Sequence, residues 1–582
     1  MGEPDRATGV HSLSVVASAL VAAVLPLPLA LAVLSALPSL RARMLDLLPL
    51  APVPGLVAAL VVPDGSVLVV PELLLGLRLE MTGNGAFFLG FASFLWIAAG
   101  YFARAYMKDA EHIGGFCAFW YLTLAGNLGV FLAGDVATFY LSFACVSLAA
   151  YPLIVHDRTE RAKRAGLVYI VLAVFGETCL LLGFMLAVEG AQSIQITDVR
   201  AALAANPWRD LTIALLVVGF GLKAGLVPLH PWLPLAHPAA PTPASAVLSG
   251  AIVKAGIFGL IQFLPAGAEP GWWSPLLIWA GIGTAWFGIL VGLTQRHPKT
   301  ILAYSTVSQM GLVIAVLGTS LQVGVGTAAL TAATFYALHH GLAKGALFMG
   351  VGVIQKSGRR AAGAVAAILA ALALSVAGLP LMGGALAKLA IKEPLGGGVV
   401  ELMVMLTAVG TGLLLLRFLF AVFGNRKQNA AIRPPMGLVL PLFATGAAAL
   451  ILPWLLFGGL AGHPLAYAFE RGNLWTALWP VLVTAAIAGL ALGWKMPRPP
   501  AIPEGDLIVP ASAVVAAAGR GLTLLYGRLA RPLPVPREPL LRITGSIISA
   551  AEARLASWAV AGTILITFAL VLIAANALPG AR

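Results

Sequence analysis

Ionisable side chains lie inside the long apolar runs of this 582-residue sequence, where they are costly to bury. A charged side chain at the centre of a bilayer costs about 2.5–3.5 kcal/mol on insertion scales, so such a residue usually faces a polar interior and has a function. The residues concerned are Glu177, Lys223, Lys254, His339, His340, Lys344, Lys388 and Arg417. Moving one neighbouring charge switches a buried lysine between its charged and neutral forms. The pattern therefore predicts a mid-membrane path for protons or other cations.

These residues differ in their expected depth in the membrane. Lys223, Lys254 and Glu177 fall near the middles of their predicted spans, where a side chain cannot reach the interface by snorkelling. Lys344 lies in an apolar run that is too long for one straight crossing. Arg417 is close enough to the inner end of its span to snorkel, and we interpret it so.

Two apolar runs are interrupted by proline and glycine, and each carries a lysine. Lys223 precedes a proline-rich stretch at 228–234, which contains the further candidate His230, and Lys388 follows the glycines and proline at 378–384. Corresponding broken helices in two halves of a chain indicate inverted repeats with ion sites at the midplane. Broken helices also expose backbone carbonyls that can hold water or cations.

Composition predicts the elements that must position these residues. Of the residues, 60% are hydrophobic and only 10% are charged. Runs of about 20 apolar residues recur along the chain, and each can cross the bilayer core as a helix; their continuity disfavours a β-barrel. We predict an all-α polytopic membrane protein. The predicted spans are 13–37, 44–62, 84–106, 112–132, 134–155, 165–189, 210–233, 242–264, 273–294, 298–319, 325–355, 362–392, 399–424, 435–458, 472–494 and 556–577.

The net charge of +13 fits membrane topology better than nucleic-acid binding. With the N-terminus placed outside, basic residues concentrate in the loops that are then inside, as at 158–164, and Lys299 is counted among these loop residues. The N-terminus lacks a basic region, and its first apolar run is too long for a cleavable signal. We expect a multi-pass protein of the bacterial inner membrane.

No cofactor or metal site is predicted on this chain. Cys117, Cys145 and Cys179 fall inside predicted spans and lack CxxC or Cys/His metal spacing. We interpret them as small buried hydrophobic residues. Whether the chain belongs to an enzyme is left open, since any redox chemistry must lie on another chain.

The chain is predicted to comprise six regions. Residues 66–81 resemble a short extracytoplasmic hairpin, and Ala511–Ala530 mixes apolar residues with arginines, as in a helix lying along the membrane surface. A calmodulin-like target is the alternative for the second segment. The regions are N-terminal spans with the hairpin (1–110), a first half-channel (111–264), a second half-channel (265–425), peripheral spans (426–494), the surface segment (495–555) and a last span (556–582).

Three motifs carry a family resemblance. They are GFGLKAGLVPLHPWLPLAHPAAPTPASAVLSGAIVKAGIFGLIQF at 219–263, LAYSTVSQMGL at 302–312 and HGLAKGALF at 340–348. They resemble the antiporter-like subunits of respiratory complex I, membrane-bound hydrogenases and Mrp-type cation/proton antiporters. The resemblance implies two inverted five-helix repeats, each a half-channel, joined by a central hydrophilic axis. It also implies that the partners are other membrane and peripheral subunits and the lipid bilayer. Nucleic acid is not expected as a partner.

The resemblance implies a role for each lysine. Lys223 matches the lysine of the first broken helix, and Lys254 matches that of the next helix. Lys344 with His340 matches the central connection, and Lys388 matches the lysine of the second broken helix, near the outer exit.

The sequence departs from the family pattern at two positions. Ala144 occupies the place of a glutamate that usually pairs with the lysine of the first broken helix, and Leu235 stands where an aspartate is common. Glu177, in the adjacent span, is the available substitute partner of Lys223. The alternative is that Glu177 stays protonated and bonds to a neighbouring helix.

Three functions remain open from the sequence. The first is a proton- or cation-translocating subunit of a complex-I-like or hydrogenase-like assembly. The second is an ion-translocating subunit that energises a non-redox partner, as in two-component inorganic-carbon uptake, and the alanine at 144 favours it. The third is a structural anchor without conduction, which the retained lysines disfavour. The sequence does not name the ion, the partner or the direction of coupling.

Overall fold

The computed structural model describes residues 17–73, 76–268, 271–356, 362–424, 434–493 and 502–507. The chain divides into two compact units, Met1–Leu68 with Arg78–Asp506 and Val69–Leu77 with Leu507–Arg582, and the contacts given below lie within the first. The helices are α1 Pro26–Leu34, α2 Arg41–Leu47, α3 Val53–Val61, α4 Gly83–Tyr106, α5 Ile113–Leu132, α6 Val136–Ile154, α7 Glu160–Ala191, α8 Ile196–Ala202, α9 Arg209–Ala224, α10 Trp232–Ala239, α11 Thr242–Val247, α12 Val253–Phe263, α13 Trp273–Thr294, α14 Pro298–Thr319, α15 Gly326–Lys356, α16 Ala362–Ala377, α17 Gly383–Leu395, α18 Val399–Gly424, α19 Met436–Leu460 and α20 Arg471–Gly493.

The described ranges contain twelve helices that are long and apolar enough to cross a membrane. This confirms the prediction of an all-helical polytopic membrane protein. The predicted span 44–62 is instead formed by the two short helices α2 and α3, because Pro49 and Pro52 interrupt it. The predicted span 556–577 and the surface segment beyond residue 507 lie outside the described residues.

The segment predicted as a hairpin contains two short strands, β1 Val67–Val70 and β2 Leu77–Glu80. At their base, Met81 accepts a backbone hydrogen bond from Gly65 at 2.8 Å and donates one to Ser66 at 2.9 Å.

The first predicted broken helix consists of α9 and α10, separated at residues 225–231. Gly225 has φ +87°, a left-handed conformation that glycine adopts without steric cost, and it ends α9 two residues after Lys223. The indole of Trp232 donates to the Leu222 carbonyl at 2.8 Å and ties the two halves together.

The second broken helix consists of α16 and α17, separated at residues 378–382. It also ends its first half at a left-handed glycine, Gly378, with φ +96°. A Cβ at this position would lie 2.9 Å from Cδ of Lys388. The glycine therefore both allows the turn and leaves room for the lysine.

A π-helical turn at Leu248–Ile252 joins α11 to α12 and packs on α15. Helix α15 is a continuous helix that also contacts α4, α14, α17 and α19. Gly250 and Gly341 bring the two backbones together, since a Cβ on Gly250 would lie 2.9 Å from the Gly341 carbonyl oxygen. Wider π turns inside helices are frequent at functional sites.

We predict that Gly250→Ala lowers the thermal stability of the detergent-solubilised protein by several degrees. Its Cβ would meet the backbone of α15, and overpacking of this kind costs about 1–3 kcal/mol. The control is Gly283→Ala on α13, where a Cβ meets nothing within 4 Å. Equal melting temperatures for the two variants would contradict the close contact.

Candidate ion-translocation site

Lys223 is buried at the end of α9, with 3% of its surface exposed. Its Nζ donates to Ser147 Oγ on α6 at 2.8 Å and to Tyr169 Oη on α7 at 3.3 Å. The rings of Phe143 and Tyr169 each lie 5.6 Å from Nζ. Hydroxyl oxygens and aromatic faces thus replace the water that an exposed ammonium group would bind.

Glu177 lies on α7 and lines the same small cavity as Lys223, with a volume of about 10 Å³. The Ser147 hydroxyl contacts both charged groups, and no direct ion pair joins them in the described part of the chain. A cavity of roughly this size holds one water molecule. Glu177 is 8% exposed, and its Oε2 has no hydrogen-bond partner among the described residues. The carboxylate therefore faces the lysine site.

Ser147 and Tyr169 were not singled out from the sequence. Ser147 lies on α6 three residues after Ala144, on the helix where the resemblance leads one to expect a glutamate. Tyr169 donates its hydroxyl proton to the Ser147 carbonyl at 2.7 Å, so its oxygen is free to accept from Lys223. A hydroxyl group in an apolar span is too common to be read as a signal by itself.

The π turn positions Lys254, which is fully buried. Its Nζ donates to the Ser249 carbonyl at 2.6 Å and lies 2.9 Å from Nδ1 of His340 on α15. The other ring nitrogen of His340 has no partner among the described residues. An amine and an imidazole at this distance can share one proton, and either nitrogen can hold it.

Lys344 lies one turn after His340 on α15, and its Nζ donates to the Leu302 carbonyl at 3.1 Å. It is fully buried, and Lys254 is among its electrostatic neighbours. The sequence left the depth of Lys344 open, and the structure places this residue in the protein interior. These groups form the centre of a row of bases.

The sequence analysis counted Lys299 among the basic residues of an inner loop, and the structure corrects this assignment. Lys299 lies in the first turn of α14, is 5% exposed, and donates to the Ala240 carbonyl at 2.8 Å and to Ser245 Oγ at 3.3 Å. The Ala240 carbonyl is available because α10 ends there. A basic residue at a span end resembles a loop residue in sequence, which explains the error.

A cavity of about 350 Å³ lies beside Lys299 and is also lined by Asp157, His297 and Lys356. Burial, and after it the charge of Arg161, lowers the pKa of His297 to about 4, so this imidazole is neutral near pH 7. Lys299 is thus placed between the cavity and the interior.

His237, on α10, was also missed. It is buried and stacks on Phe348 at 4.5 Å, and both of its ring nitrogens lack a partner among the described residues. Lys299, Lys344 and Lys254 are its electrostatic neighbours. Its sequence signal was present, since His237 lies inside the first quoted motif.

The second broken helix holds the other end of the row. His339 Nε2 lies 3.0 Å from Ser375 Oγ on α16, and Lys388 Nζ donates to the Ala377 carbonyl at 2.6 Å. Lys388 lines a cavity of about 60 Å³ that also contains Glu401.

Two further residues were singled out from the sequence, His230 and Arg417. His230 is in the break of the first broken helix, and its Nε2 is 3.0 Å from the Asp506 carboxylate. Arg417, on α18, donates from Nε to the Gln295 carbonyl at 3.2 Å.

A cluster of five phenylalanine rings closes one side of the Lys223 site. Neighbouring centroids within it are 4.8–6.1 Å apart. Phe143 joins this aromatic cluster to the lysine. The members are Phe139, Phe143, Phe184, Phe220 and Phe263.

Residues 133–415 match a family model described as the transmembrane region of NADH:quinone oxidoreductase and Mrp antiporters. Over this region, which is a little under half of the chain, the sequence is similar to the antiporter-like subunit family. The matched region contains Lys223, Lys254, Lys344 and Lys388.

Two relatives show the same similarity. The chain is 31% identical over 291 residues to hydrogenase-4 component B of Escherichia coli, covering 48% of this chain and 43% of that protein. It is 32% identical over 303 residues to a Na(+)/H(+) antiporter subunit from Bacillus subtilis, covering 48% and 38%. The chain thus spans about half or less of the length of these relatives.

The fold resembles two solved structures. The first is that of the Mrp complex from Dietzia sp. DQ12-45-1b, with a TM-score of 0.72 and 23% identity, covering 93% of this chain and 63% of the other. The second is that of the membrane-bound sulfane sulfur reductase, an archaeal respiratory membrane complex, with a TM-score of 0.65 and 22% identity, covering 80% and 100%. At these identities the likeness concerns the fold.

We predict that Glu177→Gln lowers proton flux at least tenfold in membrane vesicles, as severely as Lys223→Ala. The amide removes the negative charge that faces Lys223 across Ser147. Ala144→Glu in the same background should restore part of the flux, because it returns a carboxylate to α6, the helix that carries Ser147.

The matched control is Glu160→Gln in the first turn of α7, where the side chain is 88% exposed. It should leave flux unchanged, as expected for a surface ion pair. Full activity of Glu177→Gln would show that Lys223 works without this carboxylate.

Proposed function

We propose that this chain translocates protons through its row of buried bases, as an antiporter-like subunit of a larger membrane complex. The observation that carries the proposal is the contact of Lys254 with His340 at 2.9 Å, inside a fully buried axis. Lys344 continues the axis on the same helix as His340. The proposed path extends from this axis to the lysines of the two broken helices, Lys223 and Lys388.

The chemistry of the row favours protons over metal cations. Its central groups are amines and imidazoles, whereas hard cations bind oxygen ligands in closed shells. Each protonated lysine would also repel a metal ion. A proton that binds Lys254 or His340 instead becomes part of the side chain, and it passes between nitrogen atoms that are already in contact.

The complex-I-like or hydrogenase-like setting is the first candidate for the assembly. One relative is named as a hydrogenase component and another as one subunit of an antiporter, and both belong to multi-subunit systems by their names. The second candidate is a non-redox partner, and Ala144 supports it, because the first half-channel lacks the glutamate expected on α6.

The wider layout belongs to the proposal. It comprises sixteen spans, inverted repeats at 111–264 and 265–425, a surface helix within 495–555 and an outside N-terminus. Both breaks support the repeats, since each begins at a left-handed glycine, Gly225 or Gly378. A side chain bonds back across each break to a carbonyl of the helix before it, Trp232 to Leu222 and Lys388 to Ala377.

We predict that Lys223→Ala and Lys388→Ala each abolish proton uptake by vesicles while the protein still assembles with its partners. Each lysine is the ionisable group of a broken helix, so its removal interrupts the path more than the packing. Lys163→Ala, at an exposed position, is the control and should transport normally. Near-normal pumping by either variant would remove that lysine from the path.

We predict that Lys163 and Asp64 lie on opposite sides of the membrane. Both are exposed, and the concentration of basic residues near Lys163 marks the inner side. Single cysteines at the two positions should react with an impermeant reagent from opposite faces of sealed vesicles. Labelling of both from one side would contradict the proposed layout.

A further inference from the structure

A short segment after α20 packs against the first broken helix and its neighbours. Glu504 pairs with Arg161 at 2.6 Å and accepts from Thr300 Oγ1 at 2.9 Å. The Ile502 carbonyl accepts from Gln295 Nε2 at 3.1 Å. These bonds fix the segment 502–506 to α7, to α14 and to the turn between α13 and α14.

The segment then turns at Gly505, which has φ +85°. This conformation favours glycine, and a Cβ there would also lie 3.0 Å from Cδ1 of Leu235 on α10. The turn carries the next residue, Asp506, into the interior, where it is 7% exposed.

Asp506 contacts two buried groups through one oxygen. Its Oδ2 accepts from Tyr304 Oη on α14 at 2.6 Å and lies 3.0 Å from Nε2 of His230. An ionised carboxylate only accepts hydrogen bonds, so Nε2 of His230 must carry a proton in this arrangement. The other nitrogen, Nδ1, is then the basic one.

Nδ1 of His230 is buried and has no partner among the described residues. The ring packs against Phe287 of α13 at 4.9 Å, which offers no polar atom. The titratable groups placed against His230 are thus Asp506 and Tyr304, while the nearby Glu504 is engaged by Arg161 and Thr300.

We propose that Asp506 is a positioning residue of the first half-channel, which fixes the tautomer of His230 and holds the counter-charge when Nδ1 binds a proton. This inference rests on the proposed function. The proton adds to the Nδ1 lone pair, Nε2 keeps its own, and the imidazolium is paired with the carboxylate. Release from Nδ1 restores the neutral ring, and no other group changes its bonds.

The paired charges explain how the site tolerates ionisation in the protein interior. An isolated buried charge is strongly unfavourable, whereas an opposite charge and further hydrogen bonds offset much of that cost. The segment thereby supplies a carboxylate to the broken helix from 276 residues away in the chain.

The test compares Asp506→Asn with Glu504→Gln in the full chain, in membranes that contain its partner subunits. Asp506→Asn keeps the shape but removes the counter-charge, so proton flux should fall at least tenfold. Its flux–pH profile should also differ from that of the wild type, because a protonated His230 then lacks its paired carboxylate. Asp506→Glu should recover part of the flux and the wild-type profile.

Glu504→Gln serves as the control, because it loosens the same segment without touching His230. It should keep the wild-type pH profile, whatever its effect on protein amount. If both variants lose flux equally and neither profile shifts, the segment only docks and the inference is overturned.

A second readout separates this inference from the proposed function. Infrared difference spectra between two pH values, with ¹⁵N-labelled histidine, report the imidazole of His230, and His230→Gln assigns its signal. A signal altered by Asp506→Asn supports the pairing even if wild-type vesicles show no flux, which would refute only the transport proposal. An unaltered signal overturns the pairing even if transport is normal.

Discussion

A buried ammonium group needs oxygen acceptors in place of water, and much of this fold meets that need. Lys254, Lys299 and Lys388 each donate to a backbone carbonyl at 2.6–2.8 Å. Inside a regular helix the carbonyls are already bonded four residues on, so acceptors arise where helices end or widen. The π turn, the end of α10 and the end of α16 are such places. For these three lysines, the irregularity of a helix and the position of the lysine are therefore one feature, whereas Lys344 donates to the Leu302 carbonyl inside α14.

Neighbouring buried bases also disfavour being protonated at the same time. Two unit charges 4 Å apart repel by about 4 kcal/mol at an effective dielectric constant of 20. Lys254 and His340 are closer than that, so they cannot both be protonated without a large cost. Arrival of a proton at one base then favours departure from the next. Near Lys223 the Glu177 carboxylate changes this balance, since it stabilises a charged lysine.

The sequence predicted the features that local pattern encodes. Long apolar runs predicted the spans, because a helix that satisfies its own backbone is the stable form in lipid. Glycine and proline near Lys223 and Lys388 predicted both breaks for the same local reason. The contact between Asp506 and His230 could not be predicted, because it joins residues 276 positions apart and depends on one turn at Gly505. Lys299 was misassigned because position in a span does not reveal burial by neighbouring helices.

The aromatic cluster beside Lys223 keeps water and proton-carrying groups away from one side of this site. Its five rings carry no atom that can accept or donate a proton, and they pack edge to face, tilted or stacked against one another. Water has little room to thread between rings packed at this spacing. Under the proposed function, the cluster thus works as insulation along one wall of the Lys223 site. In a membrane that stores energy as an ion gradient, such insulation separates a controlled passage from a leak.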